Sequence, residues 1–140
     1  MNKYKTFIPD HLRANRPRIL RFIGKAAMKI TGWKTVGHFP RDERVVLVVG
    51  PHTSNWDFVV AMSAVLSWDI NIHWVGKHSI FKKGFRRVLR KMGGIPVNRA
   101  NPDALKEEIV DITNKYKGFI IGLAPEGTRK KVERLKTGFL

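Results

Sequence analysis

Two hydrophobic rhythms alternate along this chain. Short unbroken apolar runs read as buried strands, and longer stretches with apolar residues three and four apart read as helices. Val45-Val46-Leu47-Val48-Val49 is the clearest run. Five apolar residues, four of them Val, predict a strand buried on both faces, stopped by Gly50-Pro51. Thr53, Ser54 and Asn55 are good N-cap residues, and the apolar stretch from Phe58 to Leu66 predicts a helix over Asn55 to Trp68. Ile70 to Gly76 alternates as a second strand, ending at Lys77. Phe81 to Met92 has helical period, with an apolar stripe (Phe81, Phe85, Val88, Leu89, Met92) and a cationic face. Gly93-Gly94 breaks it, and in Ile95-Pro96-Val97 the proline argues for a short or edge strand. Asn101-Pro102-Asp103 opens a further helix, with cap, first-position proline and first-turn acid. Leu105, Ile109, Ile112 and Tyr116 mark its buried side, and Phe119 to Ala124 is another buried strand.

Before the first strand, Met1 to Asn15 shows no periodicity and is expected to be loosely held. From Pro17, Ile19, Leu20, Phe22, Ile23, Ala26, Ala27 and Ile30 recur at helical spacing among Arg18, Arg21, Lys25 and Lys29. This basic amphipathic helix suits a membrane interface, or equally packs its apolar face on the sheet. Gly32 ends it, and Trp33 follows as an interfacial anchor or a core residue. Residues 1–36 are taken as an N-terminal basic segment and 37–140 as the main domain. Strand and helix alternate almost throughout, which predicts an α/β fold with a mostly parallel sheet and flanking helices.

In such a sheet ligands bind outside the carboxyl ends of the strands. His52, Lys77, Arg99 and the stretch Glu126-Gly127-Thr128-Arg129 each follow a predicted strand. Asp57 falls in the first turn of its helix, where the helix dipole keeps the carboxylate ionised. A strand-to-helix turn of this length can bring Asp57 back to the His52 ring. The carboxylate would then fix the tautomer and free the other ring nitrogen to accept a proton. The bland alternative is that His52 closes a turn and Asp57 only complements the dipole. Arg99 and Arg129 can each grip a phosphate bidentately, and the Gly127-Thr128 turn can offer backbone N–H groups.

His52 to Asp57 matches the H-x-x-x-x-D signature of the glycerolipid acyltransferases, the family that includes the 1-acylglycerol-3-phosphate acyltransferases. Gly94-Ile95-Pro96-Val97-Asn98-Arg99 resembles that family's second block, and Pro125-Glu126-Gly127-Thr128-Arg129 its third. Three blocks in order cover the chain from about Val45 onward. The resemblance implies a glycerol-3-phosphate acyltransferase-like fold and direct acyl transfer from a thioester, acyl-CoA or acyl carrier protein, to a lysophospholipid hydroxyl. In that reading His52 is the base, oriented by Asp57, and Lys77 helps hold a phosphate, although it is also one of many surface cations. Glu126 binds the acceptor, or alternatively pairs with Arg99 or Arg129. In the family a further apolar strand follows the third block, so the domain is expected to be incomplete at its C-terminus.

Composition narrows the rest. The 140 residues, 43% hydrophobic, make one domain with a real core. Cys is absent, which excludes disulfides and thiolate metal sites and suggests a reducing, cytoplasmic compartment. His52 lacks a second ligand at metal spacing, so neither a metal nor any other cofactor is expected. The glycines of 122–129 have P-loop spacing without the following Lys, so nucleotide hydrolysis is not supported. With 27 Lys+Arg against 11 Asp+Glu, a formal charge of +16, the surface asks for an anionic partner. An anionic membrane surface fits a peripheral enzyme. The alternative is a basic membrane- or nucleic-acid-binding module without catalysis, and no nucleic acid is expected because no recognised binding signature accompanies the charge.

Overall fold

The computed structural model describes residues 7–50, 55–98 and 100–124. Its elements run α1 (Arg18–Ile30), β1 (Arg44–Val48), α2 (Asn55–Trp68), β2 (Ile72–Lys77), α3 (Arg86–Lys91), β3 (Gly94–Val97), α4 (Pro102–Lys115) and β4 (Phe119–Leu123). The four strands form one sheet in the order β1-β4-β2-β3, every pair parallel. This is the expected α/β fold with flanking helices.

The sheet separates two cores. On one face Val45, Leu47, Ile72, Trp74 and Ile120 pack with Met62 and Val65 of α2. On the other, Ile95, Phe119 and Ile121 pack with Leu105, Ile112 and Tyr116 around α4. β4 is central, and Phe119 to Gly122 are all buried. The cap of α4 is as expected, with the Asn101 side-chain oxygen accepting from the Ala104 N–H.

Three expectations are corrected. β1 is not buried on both faces: it is a sheet edge, and Val46 and Val48 are 63% and 56% exposed. Helix α4 packs on β3, away from this end of the sheet, so the strand's outer face has no helix over it among the described residues. The helix expected from Phe81 to Met92 forms only over Arg86–Lys91. Gly84 takes a φ of +95°, which interrupts the helical path, and Phe81 is instead buried, stacked on Trp74 with centroids 5.7 Å apart. Finally, the described part of the N-terminal stretch is not loose. Leu12 is fully buried and Ile8 is 4% exposed. The arm is held by an antiparallel bridge between Arg13 and Ile70, in which the Asn71 N–H donates to the Leu12 carbonyl and the Ala14 N–H to the Asp69 carbonyl.

Helix α1 packs on α2, not on the sheet. Its contact side is Gly24 and Met28, both buried. A Cβ at Gly24 would lie 2.5 Å from the Ser67 nitrogen and 2.8 Å from the Ser63 carbonyl oxygen, so the helices cross at backbone contact. The apolar stripe points elsewhere: Ile19, Phe22, Ile23 and Ile30 are exposed, as is Trp33 beyond the helix. Gly32, at φ +72°, follows the helix end as expected.

Candidate active site

Because all four strands run the same way, their carboxyl ends share one edge of the sheet. β1 and β4 finish level, Val48 opposite Leu123, and the Val49 N–H donates to the Leu123 carbonyl. β2 and β3 finish level as Lys77 opposite Val97. Helix α2 begins at Asn55, a short step from the end of β1.

Two of the sequence-predicted site residues fall within the described structure. Asp57 is in the first turn of α2, as expected, and is partly buried. Lys77 is the last residue of β2, at the carboxyl edge, and is exposed. His52, Arg99, Glu126, Gly127, Thr128 and Arg129 lie outside the described residues. Their sequence positions follow the described ends directly: His52 is the second residue after Gly50, Arg99 follows Asn98, and Glu126 is the second after Ala124.

The surface beyond Lys77 is strongly cationic. Lys83, Gly84, Arg86, Arg87 and Arg90 line an open depression of about 580 Å³. Among these cations only Arg90 has an acidic partner within the described residues, Glu108 of α4. No group of three or more His, Asp or Glu among the described residues could hold a metal ion.

Sequence reasoning missed an apolar cavity of about 270 Å³ between α2 and the sheet. Val49, Leu123 and Ala124, at the carboxyl ends of β1 and β4, belong to its lining, as does Phe58, the neighbour of Asp57. Ala61 and Ala64 are visibly smaller than the neighbouring Phe58, Met62, Val65 and Leu66, but small residues alone do not give a cavity. Also missed was His73, on the α4 face of β2. Its ring lies 5.4 Å from Tyr116, and burial, then the positive charges of Lys115 and Arg16, push its pKa below the ordinary histidine value. Arg16 is likewise lowered by burial, with Asp69 acting in the opposite sense.

The Acyltransferase family model matches residues 27–139, most of the chain. This chain belongs to that family, the glycerolipid acyltransferases. The match takes in every described element from the end of α1 to β4, together with all three motif blocks. No curated protein and no solved structure matches the chain. For this acyltransferase-family domain, acyl transfer requires an acyl donor and an acceptor.

Proposed function

We propose that this protein moves a fatty acyl group from an acyl thioester to the hydroxyl of a lysophospholipid-type acceptor, by default 1-acylglycerol-3-phosphate. The observation that carries the reading is the parallel sheet itself. In sequence the first and third motif blocks follow β1 and β4 and the second runs through β3 to Arg99, and the carboxyl ends of these strands lie on one edge with that of β2.

In this reading His52, oriented by Asp57, takes the proton of the acceptor hydroxyl as its oxygen attacks the thioester carbonyl. The tetrahedral intermediate collapses, the carbon–sulfur bond breaks, and the imidazolium returns the proton to the departing thiolate. Backbone N–H groups of the turns at this edge stabilise the oxyanion. Lys77, Arg99 and Arg129 hold the acceptor phosphate, with the arginines suited to bidentate contact, and Glu126 with the Gly127-Thr128 turn positions the glycerol. Neither a nucleophilic Cys nor an activated Ser is required, because the acceptor hydroxyl is itself the nucleophile.

The location that suits this activity is a membrane surface with anionic headgroups. The exposed Ile19, Phe22, Ile23 and Ile30 of α1, beside Arg18, Lys25 and Lys29, support peripheral attachment there. No helix among the described residues is long and apolar enough to cross a membrane.

The test is transfer of labelled acyl groups from acyl-CoA, and separately from acyl carrier protein, to lysophosphatidic acid and a panel of other lysophospholipids. Transfer to a phosphate-bearing lysolipid supports the reading. Well-folded protein that transfers to none of them overturns it.

A further inference from the structure

Helix α3 turns a wholly cationic face to solvent. Leu89 and Met92 pack it on the core, and Arg86, Arg87, Arg90 and Lys91, at positions i, i+1, i+4 and i+5, fall on the opposite side. All four are exposed, as are Lys82 and Lys83 just before the helix. Phe85 and Val88, 70% and 52% exposed, rim this face on one side. The fold alone gives no reason to gather such charge. Arg86 with Arg90 and Arg87 with Lys91 are like-charge pairs at i, i+4, which weaken a helix, and among the described residues only Arg90 has an acidic partner, Glu108. The face also starts near the carboxyl edge. Lys82 follows Lys77, the end of β2, by five residues, which reach at most about 18 Å even when fully extended.

Three anionic occupants would answer these cations: a bilayer, the phosphates of a nucleotide, or an acidic protein. A bilayer is flat and rewards apolar residues at the contact, which the exposed side of α1 offers and the outer face of α3 does not. The phosphates of one nucleotide are compact, whereas these cations spread from Lys82 to Lys91 around a depression open to solvent. A helix about 10 Å across fits such a depression lengthwise and reaches the cations on both sides. We infer that α3 docks an acidic helix of the protein that carries the acyl thioester, so that the donor is a carrier protein rather than acyl-CoA. That the partner is the donor rests on the acyl-transfer reading; the docking surface does not. The six residues of α3 extend ~9 Å and meet about two turns of the partner, whose carboxylates, three and four residues apart, share one face. Exposed charge pairs of this kind steer the encounter and are screened by salt, while Phe85 and Val88 add apolar contact at the rim.

The test measures binding of fluorescently labelled, unacylated acyl carrier protein, which needs no turnover, and then KM for acyl-carrier and acyl-CoA donors separately. The unaltered protein is compared with Arg86→Glu plus Arg87→Glu and, as a second pair, Lys82→Glu plus Lys83→Glu. All four side chains are exposed, so both double variants should keep the unaltered unfolding midpoint. Carrier binding is expected to weaken at least ~10-fold in each, and by a similar factor in the unaltered protein between about 50 and 500 mM salt. KM for the acyl-carrier donor should rise in step, with KM for acyl-CoA within about twofold of the unaltered value. Carrier binding indifferent to both pairs overturns the inference. So does an equal rise in KM for acyl-CoA, which would make the cations a nucleotide-phosphate site, or a loss confined to partitioning onto anionic vesicles, which would make them a bilayer contact. Carrier binding that depends on Arg86 and Arg87, with no acyl transfer to any acceptor, would defeat the proposed reaction and leave the docking surface standing. Transfer from the carrier unaffected by either pair would do the reverse.

Discussion

Asp69 holds the N-terminal arm to the domain, and removing it tests how that arm contributes. Asp69 is 2% exposed, and its carboxylate accepts from the Arg16 backbone N–H at 2.9 Å. It also lies 3.7 Å from the Arg16 guanidinium, whose side chain is 15% exposed. The Arg16 guanidinium donates in addition to the Ile70 carbonyl at 2.8 Å. Asp69 sits at φ +59°, a conformation that Asp and Asn tolerate and Ala does not. Asp69→Ala therefore loses a charge-assisted backbone hydrogen bond, leaves a largely buried guanidinium without its carboxylate, and strains the turn. Breaking a fully buried pair costs ~3–5 kcal/mol. The 3.7 Å separation and the surviving bond to Ile70 place this one at the low end, about 3 kcal/mol. Asp69→Asn keeps the conformation and an acceptor for Arg16, so it costs about 1–2 kcal/mol. Combined with Arg16→Met, Asp69→Asn should cost at least about 1 kcal/mol less than the sum of the two single changes, because no uncompensated charge remains. Urea unfolding of the unaltered protein, the three single variants and the double variant reads all of this. Additivity within ~0.5 kcal/mol, or equal losses for Ala and Asn, would refute the reasoning.

Further outcomes are expected elsewhere in the molecule. At the α1–α2 crossing, Gly24→Ala gains roughly 1 kcal/mol of helix propensity but drives a methyl into α2 backbone; a net loss of about 1–2 kcal/mol in thermal or urea unfolding is expected. His73 has a folded-state pKa below its unfolded value, so the unfolded chain binds more protons. Stability is thus highest above pH about 6.5 and falls as the pH drops through and below that value, a slope that His73→Phe should flatten in unfolding midpoints taken between pH 7.5 and 5. On the exposed face of α1, Phe22→Asp together with Ile23→Asp should reduce partitioning to anionic vesicles at least ~10-fold while leaving the unfolding midpoint within error; unchanged partitioning would remove α1 from the membrane proposal.

What could be read in advance followed local signals. The Asn101-Pro102-Asp103 start specifies α4 within its own first turn, and α2 runs from Asn55 to Trp68 as the largely apolar run from Phe58 to Leu66 predicts. Phe119 to Ala124 reads as a buried strand, and β4 is one over Phe119–Leu123, since it has neighbours on both sides and side chains of α2 and α4 on its two faces. The same pattern misleads at β1: a run of valines looks identical at a sheet centre and at an edge, and strand order is a non-local property. Ile8 and Leu12 were illegible for a related reason. They stand among polar residues without periodicity, and their burial depends on pairing with Ile70 and Asn71, far along the chain. Gly84 was a visible warning that the cationic stretch would not be one helix, and only its positive φ makes that decisive.

The candidate site divides in the same way. The spacing from His52 to Asp57 and the blocks ending at Arg99 and Arg129 were legible as motifs, and the structure puts Asp57 in the first turn of α2 and Lys77 at the end of β2. The cavity was not legible, because its volume is the difference between what Ala61 and Ala64 leave empty and what Met62, Trp68 and Trp74 fill, a quantity set by three-dimensional packing.

The most direct test of the proposed chemistry is the turnover number for acyl transfer to lysophosphatidic acid by the unaltered protein, His52→Ala and Asp57→Asn, each checked for an unchanged unfolding midpoint. A general base accounts for ~10²–10⁴ in rate, so His52→Ala should lose at least a hundredfold, with Asp57→Asn falling in the same direction and KM for the acceptor little changed. Turnover by His52→Ala within a few-fold of the unaltered protein would contradict the account.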